Sequence, residues 1–348
     1  VPSRNPTLSM NFQSCFARCT FSALFFLICL PHPYAFAQSR YEIPLTLHLG
    51  LPFIEAKLPD VDIPLGFVFD TGADINVIDK QAVKRLKLDD SNVEKIVVNE
   101  VMNEETIKLA NVKFGKFTIP TLEVATVNIN SPGTPPEMQI NGILGQDVLR
   151  EFDVTMDVPA QKLILEKPTV DNKRFEGPQC FSNTISWLRS LEEPRSIYAD
   201  ILLPHKDQDG RFIRVHALID SGAVITTLNW AAARAIGLTP ENPSLVNLGQ
   251  RYRGLDPNRS TDAYSYKMPP LKFGASEIGP LKVVISDVEG FTLHGMDGKP
   301  AALLGIDVLK QQRLTISKDA RRFCFGENQY KTNEINSESR RTLENTQP

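Results

Sequence analysis

Phe67-Val68-Phe69-Asp70-Thr71-Gly72-Ala73-Asp74-Ile75-Asn76-Val77-Ile78 decides the reading of this chain, because the pattern occurs twice. The second copy is Ala217-Leu218-Ile219-Asp220-Ser221-Gly222-Ala223-Val224-Ile225-Thr226-Thr227-Leu228, with its acid 150 positions after the first. In each copy three apolar residues run into an aspartate, a small hydroxyl residue, Gly and Ala, and an apolar segment follows. A strand of that composition is buried. An isolated carboxylate at its end strongly prefers to be neutralised. Two such sites in one chain predict that the acids meet and share a proton.

The two copies anchor a longer repeat. Val112-Lys113-Phe114-Gly115 is echoed by Leu271-Lys272-Phe273-Gly274, and Ile143-Leu144-Gly145 by Leu303-Leu304-Gly305. From acid to middle glycine the distances are 45 and 54 residues; from middle to late glycine they are 30 and 31. The second copy is therefore longer by nine residues before its middle glycine, and these are placed within 251–266.

Apolar alternation predicts strands over 41–49, 53–58, 65–69 and 122–129, and hairpins over 95–109 and 112–117. Helical spacing marks 79–86 and 230–236. The same order restarts at 197–203 and 212–219. The expected organisation is an N-terminal extension and signal peptide over 1–37, lobes over 38–168 and 196–326, a connection over 169–195 and a disordered polar tail over 327–348. Trp187 and Leu188 suggest a short helix in the connection. Residues 252–266, with Pro257 and Asn258-Arg259-Ser260, read as an irregular loop with the position of a lid.

At 348 residues with 42% apolar content, the chain can build two domains with real cores. The net charge of −3 and the lack of a basic stripe argue against a nucleic-acid partner. Met10, Arg18, the apolar run 21–30 and Ala35-Phe36-Ala37 fit a cleaved secretory signal that leaves Gln38 as the new N-terminus. The run is short for a membrane span, so no stable insertion is expected after cleavage; an uncleaved anchor is the alternative. The expected location is secreted or periplasmic. Cys15, Cys19 and Cys29 would leave with the signal. Cys180 and Cys324 would remain, either as one disulfide or as two buried thiols. The five histidines show no metal spacing, and no metal or cofactor is expected.

Asp70-Thr71-Gly72-Ala73 and Asp220-Ser221-Gly222-Ala223, each followed by an apolar-apolar-Gly segment, resemble the aspartic peptidases of the pepsin and retropepsin superfamily. The resemblance covers about residues 41–167 and 196–326. It implies an all-β protein of two retropepsin-like β-barrel lobes with short helices and an active site in the cleft between them. It implies Asp70 and Asp220 as the catalytic pair, supported by Thr71, Gly72, Ala73, Ser221, Gly222 and Ala223. The hydroxyls of Thr71 and Ser221 would bond across to the opposite lobe. Asp74 matches an acid that binds substrate backbone, and the hairpin carrying Val101, Met102 and Asn103 matches the flap that closes over a bound peptide.

Two carboxyl groups in close contact hold one proton between them, which suits them to activate a water against a peptide carbonyl. Three departures from the family pattern stand out. Ala73 and Ala223 replace a hydroxyl common in pepsin-like enzymes, which favours the retropepsin branch and activity at mildly acidic to neutral pH. Val224 stands where the second lobe would repeat Asp74. Gln146 and Ile306 stand where retropepsins place an Arg. Asymmetric substrate contacts are expected.

The expected function is an aspartic endopeptidase acting on protein or peptide substrates as a monomer. The alternatives are an inert peptide-binding module of the same fold and an enzyme whose lobes pair between chains. The bland reading of Asp70 and Asp220 as surface turn acids is disfavoured by their recurrence in register behind apolar runs. For Asp147 and Asp307 the bland reading wins: they are expected to cap the helix after the late glycine. Gly115 and Gly274 are expected as hairpin turn residues.

Overall fold

The apolar runs ahead of the two acids become strands buried on both faces. Leu65–Phe69 is buried at all five positions, as is the last part of Phe212–Ile219. The strands Gly142–Leu144 and Ala301–Leu304 lie parallel to them, in the registers Phe69↔Leu144 and Ile219↔Leu304. Parallel strands covered on both faces read as continuous hydrophobic runs, which is how these appear in the sequence. This computed structural model describes residues 40–59, 61–88, 96–97, 105–130, 133–168, 172–183, 196–253, 260–318 and 321–326. The proposed signal over 1–37, Trp187 with Leu188, and the tail 327–348 fall outside them.

The protein is mostly β, in two lobes with short helices. In the N-terminal lobe, Leu51–Lys57, Leu65–Phe69, Gly142–Leu144, Val77–Asp79, Phe117–Val127 and Glu105–Phe114 pair in that order, and the ring closes through Ala56↔Phe114. The C-terminal lobe repeats the ring with Tyr198–Pro204, Phe212–Ile219, Ala301–Leu304, Thr227–Leu228, Leu281–Ile285 and Ser260–Met268. Here two of the long strands are split. Pro269, Pro270 and Pro280 have no N–H to donate to a ladder. Leu271–Phe273 and Ser276–Ile278 continue beyond them and close the ring through Leu202↔Lys272.

A third, six-stranded sheet joins the lobes. Its order is Arg40–Pro44, Lys162–Glu166, Asp153–Asp157, Leu314–Ile316, Arg322–Phe325 and Cys180–Ser182. The seam is the antiparallel pair Val154↔Ile316 to Met156↔Leu314, reinforced by the Thr155 and Thr315 hydroxyls at 3.1 Å. Arg313 reaches back to the buried Asp157 at 2.6 Å. Each barrel seats on this sheet through aromatic rings. Tyr41, Phe117 and Phe152 meet under the first, with Phe117 and Phe152 edge-on at 5.3 Å. Phe181, Phe273, Phe323 and Phe325 stack under the second at about 5 Å. The segment after the first lobe thus supplies an edge strand, and Cys180 pairs with Cys324 both in register and as a disulfide. That settles the choice between bridge and free thiols.

Two elements depart from their sequence reading. The stretch expected as an irregular loop over 252–266 is largely a hairpin: Val246–Arg253 pairs antiparallel with Ser260–Met268 around an irregularity between Asn247 and Arg251. Its strand signal was masked in the sequence by the turn-forming residues Pro257, Asn258 and Arg259; 254–259 lie outside the described residues. Asp307 does not cap its helix. Gly305 occupies the cap of Ile306–Leu309, and the Asp307 carboxylate accepts from the Thr226 amide and hydroxyl at 2.9 and 2.8 Å and, within the first turn of its own helix, from Val308 N at 3.0 Å. Gly115 and Gly274 sit at the first turn position of their hairpins, both with φ +59°, which only glycine adopts without strain.

Candidate active site

Each acid leaves its strand at the same point. The Asp70 amide donates to Leu144 O at 3.0 Å, and the Asp220 amide to Leu304 O at 3.1 Å. The chain then turns back so that each carboxylate accepts from the amides that follow it. Asp70 Oδ1 takes Gly72 N at 2.7 Å and Ala73 N at 3.2 Å; Asp220 Oδ1 takes Gly222 N at 3.0 Å and Ala223 N at 3.1 Å.

The two turns face each other across the lobe boundary. A Cβ on Gly72 would fall 2.7 Å from Asp220 Oδ1, and one on Gly222 would fall onto the Asp70 carboxylate. Glycine is needed at both places for the approach, more than for the turn. The two carboxyls lie close enough to influence each other's ionisation directly. Burial pushes both acids above the ordinary carboxylate range. For Asp70 the amides of Gly72, Ala73 and Gly222 and the Asp220 carboxyl oppose that rise. For Asp220 the Asp70 charge adds to burial. Two buried carboxyls in contact cannot both ionise easily, so the pair retains one proton.

Thr71 and Ser221 are fully buried and lock the turns together. The Thr71 hydroxyl donates to Ile219 O at 2.7 Å and accepts from the Ser221 amide at 3.1 Å. The Ser221 hydroxyl donates to Phe69 O at 2.8 Å and accepts from the Thr71 amide at 2.9 Å. All four bonds cross between the lobes. This is the arrangement the resemblance implies.

The late glycine segments close behind the acids. Gln146 N donates to Ala73 O at 2.9 Å, and Ile306 N to Ala223 O at 2.8 Å. The Gln146 side chain turns to Thr71 O at 2.7 Å. Asp74 instead accepts from the Ser196 hydroxyl of the other lobe at 2.8 Å. The hairpin expected as a flap is paired at Ile96↔Thr106 and Val97↔Glu105. Val101, Met102 and Asn103 lie outside the described residues.

Some functional positions escaped the sequence reading. Asn76 and Thr226, each six residues after its acid, accept the amides of Gly145 and Gly305 at 2.9 and 3.1 Å. Asp79 and Asn229, three further on, cap the helices Lys80–Arg85 and Trp230–Ala235 and also bind the loops beside them. Polar residues recurring inside apolar runs at matched offsets were the available signal. Ser196 gave none.

Comparison with known families places this geometry. The sequence profile described as Aspartyl protease matches residues 54–148 and 208–308, which is more than half of the chain and includes both acid turns. The chain belongs to the aspartyl protease family. Its two matched regions correspond to the two barrels, so the aspartyl protease pattern is carried twice by one polypeptide. A search among curated proteins finds no match. Among the described residues of this aspartyl protease-family chain, no His, Cys, Asp and Glu group has the makings of a metal site, and no helix is long and apolar enough to cross a membrane.

Proposed function

We propose that this protein is an aspartic endopeptidase in which Asp70 and Asp220 activate water against a substrate peptide bond. The observation that carries the reading is the close approach of the two buried acid turns, where a Cβ on either glycine would collide with the opposite carboxylate, held by hydroxyl bonds that run in both directions between lobes. Water sits between the carboxyls. The ionised member of the pair accepts its proton as the oxygen bonds to the carbonyl carbon, and the protonated member donates to the carbonyl oxygen. As the tetrahedral adduct collapses, one of its hydroxyls returns its proton to the pair and becomes the carbonyl of the acid product, the C–N bond breaks, and the departing nitrogen takes a proton from the pair, which again holds one. The roles belong to the pair and not to one residue each.

One chain supplies both acids, so the enzyme works as a monomer. With Ala73 and Ala223 beside the carboxylates, no side-chain hydroxyl stabilises the ionised form there, which supports activity at mildly acidic to neutral pH. A secreted or periplasmic location is supported by the signal pattern ending at Ala37 and by the disulfide, which persists in oxidising compartments.

The test is cleavage of a mixed peptide library by the chain from Gln38, scanned across pH, beside Asp70→Asn and Asp220→Asn. Cutting by the native monomer that a statine-type mimic blocks and both variants lose supports the reading. A folded native chain that binds peptides and cuts none at any pH overturns it in favour of a binding module.

A further inference from the structure

The hydroxyl lock of Thr71 and Ser221 treats the two acids alike. The residue after the late glycine does not. Gln146 and Ile306 stand at the same place: each main-chain amide donates to the carbonyl of the alanine that follows the acid turn, Ala73 or Ala223. Both residues are buried, Gln146 at 4% exposure and Ile306 at 1%. The Gln146 side chain donates to Thr71 O at 2.7 Å. A carbonyl oxygen only accepts, so the contact fixes the nitrogen end of the amide on Thr71. Ile306 has no group to offer the matching carbonyl of Ser221.

Thr71 O belongs to the peptide unit whose other end is Gly72 N, and that N–H donates to Asp70 Oδ1 at 2.7 Å. Gln146, the Thr71–Gly72 peptide and the Asp70 carboxylate therefore form one hydrogen-bonded chain. A donor on the carbonyl polarises the peptide and makes its N–H a stronger donor. In the second lobe the Ser221–Gly222 peptide makes the same bond to Asp220 Oδ1 without help from Ile306, and that bond is longer, at 3.0 Å. Hydrogen bonds to a carboxylate favour its charged form. The neighbouring carboxyls do not single out a lobe, since each turn has one nearby: Asp74, bonded by Ser196, and Asp307, bonded by Thr226.

Resting on the peptidase reading above, we infer that Gln146 is a positioning residue that sets where the shared proton rests: on Asp220, with Asp70 left as the charged member. The acids alone leave the roles with the pair; the unequal peptides break the tie. Attack then has one direction. Asp70 takes a proton from water as the oxygen bonds to the carbonyl carbon, and Asp220 gives its proton to the carbonyl oxygen. Two lobes that repeat each other thus present their acids to substrate in different states.

Two variants test this through the limbs of the pH profile of kcat/KM. Charge on Asp70 is present in both the singly and the doubly ionised pair. Gln146→Met keeps the length and removes the donor, so it weakens both of these states alike. Its acid limb is expected to move up by about half a pH unit and its basic limb to stay. Ile306→Gln gives Ser221 O a donor and favours charge on Asp220, which is present only in the doubly ionised pair. Its basic limb is expected to move down by a similar amount and its acid limb to stay. A merely structural role would lower the rate without moving one limb. Limbs exchanged between the variants, moved together or unmoved overturn the inference. Carbon-13 labelling of the aspartate carboxyls in the native chain decides the case even where neither variant folds. With one proton on the pair, the signal lost in Asp220→Asn is expected at the protonated position and the one lost in Asp70→Asn at the ionised position; the reverse, or two equal signals, overturns the inference. That measurement needs no cleavage, so a native chain that cuts no peptide strikes the peptidase reading separately.

Discussion

The two lobes run the same ring of strands with different continuity. In the first, Glu105–Phe114 and Phe117–Val127 pair from Thr106↔Ala125 to Phe114↔Phe117, with one gap where Pro120 would face Asn111, whose φ is +50°. In the second, the equivalent strands are cut at Pro269-Pro270 and Gly279-Pro280. Yet Met268↔Leu281 on one side of the cut and Leu271↔Ile278 on the other keep the same register. The middle of the ring tolerates a lost ladder bond because the flanking pairs hold the register. The acid turns tolerate no such drift. Their amide anchors differ by only 0.1 Å between lobes, at 3.0 and 3.1 Å. Each turn is satisfied by the other lobe, so a change in one leaves buried groups unpaired in both. Divergence is confined to positions where the cost stays local.

The largest effect that could break this comparison concerns the acids. The two acids stand on different lobes, one behind Phe69 and one behind Ile219, and burial raises both. If the proton nonetheless belongs to the pair, Asp70→Asn and Asp220→Asn each lose about 10³-fold or more in kcat, the upper range for an acid–base group. A variant that kept a tenth of native activity would show the acids working separately. Stability moves the other way. Both folded pKa values lie above the unfolded value near 4. The favourable contribution of the protonated pair is therefore complete below about pH 4 and is lost as pH rises through the folded values. Relative to native protein, the Tm of each Asn variant should climb between pH 4 and 8; a constant difference would refute the raised values.

The disulfide comes next. It ties Cys180, beyond the first lobe, to Cys324 in the last described strand, a separation of 144 residues. Chain-entropy arguments give about 4–5 kcal/mol for loops of that length. Unfolding of Cys180→Ser/Cys324→Ser in urea should show a loss of that order while cleavage at 25 °C persists. Loss of activity before loss of fold would mean that the bridge also sets the lobe geometry.

Thr71 and Ser221 sharpen the comparison further. Thr71→Val leaves Ile219 O and Ser221 N unpaired; Ser221→Ala leaves Phe69 O and Thr71 N unpaired. Each change strands two buried groups at about 1–3 kcal/mol apiece, so the two variants should be destabilised alike, within about 1 kcal/mol. A large inequality in denaturant midpoints would show that one lobe carries the lock.

Much of this was legible in the sequence because the repeat is local. The acid turns, the buried strands beside them and the glycine hairpins recur as contiguous residues, and local chemistry fixed them. The helices behind Asp79 and Asn229 were visible as helical spacing, while the capping role of these two residues was not. Three things were not. The hairpin at 246–268 hid behind the turn-forming residues Pro257, Asn258 and Arg259. The disulfide joins positions whose proximity depends on the whole six-stranded sheet. Ser196 touches Asp74 only because the second lobe folds back on the first, and nothing near residue 196 announces that. Contacts between lobes escape a reading made one segment at a time, unless, as at Thr71 and Ser221, a known family supplies the pairing.

The smallest expected effect lies at the seam of the shared sheet. Thr155 and Thr315 face each other in the antiparallel pair there, with their hydroxyls 3.1 Å apart and both residues buried. Either single change to Val leaves one hydroxyl without this partner, at a cost of about 1 kcal/mol. The double change replaces a matched polar pair by a matched apolar pair of similar shape, which is near neutral. A double-mutant cycle should therefore return a coupling of about 2 kcal/mol, with Thr155→Val/Thr315→Val as stable as the native chain. The same exchange of hydroxyl for methyl is damaging at Thr71, because there the partners are main-chain groups that no substitution can remove. If the double variant at the seam proves as weak as Thr71→Val, the seam hydroxyls have partners beyond each other and the sheet belongs with the acid turns as a region closed to change.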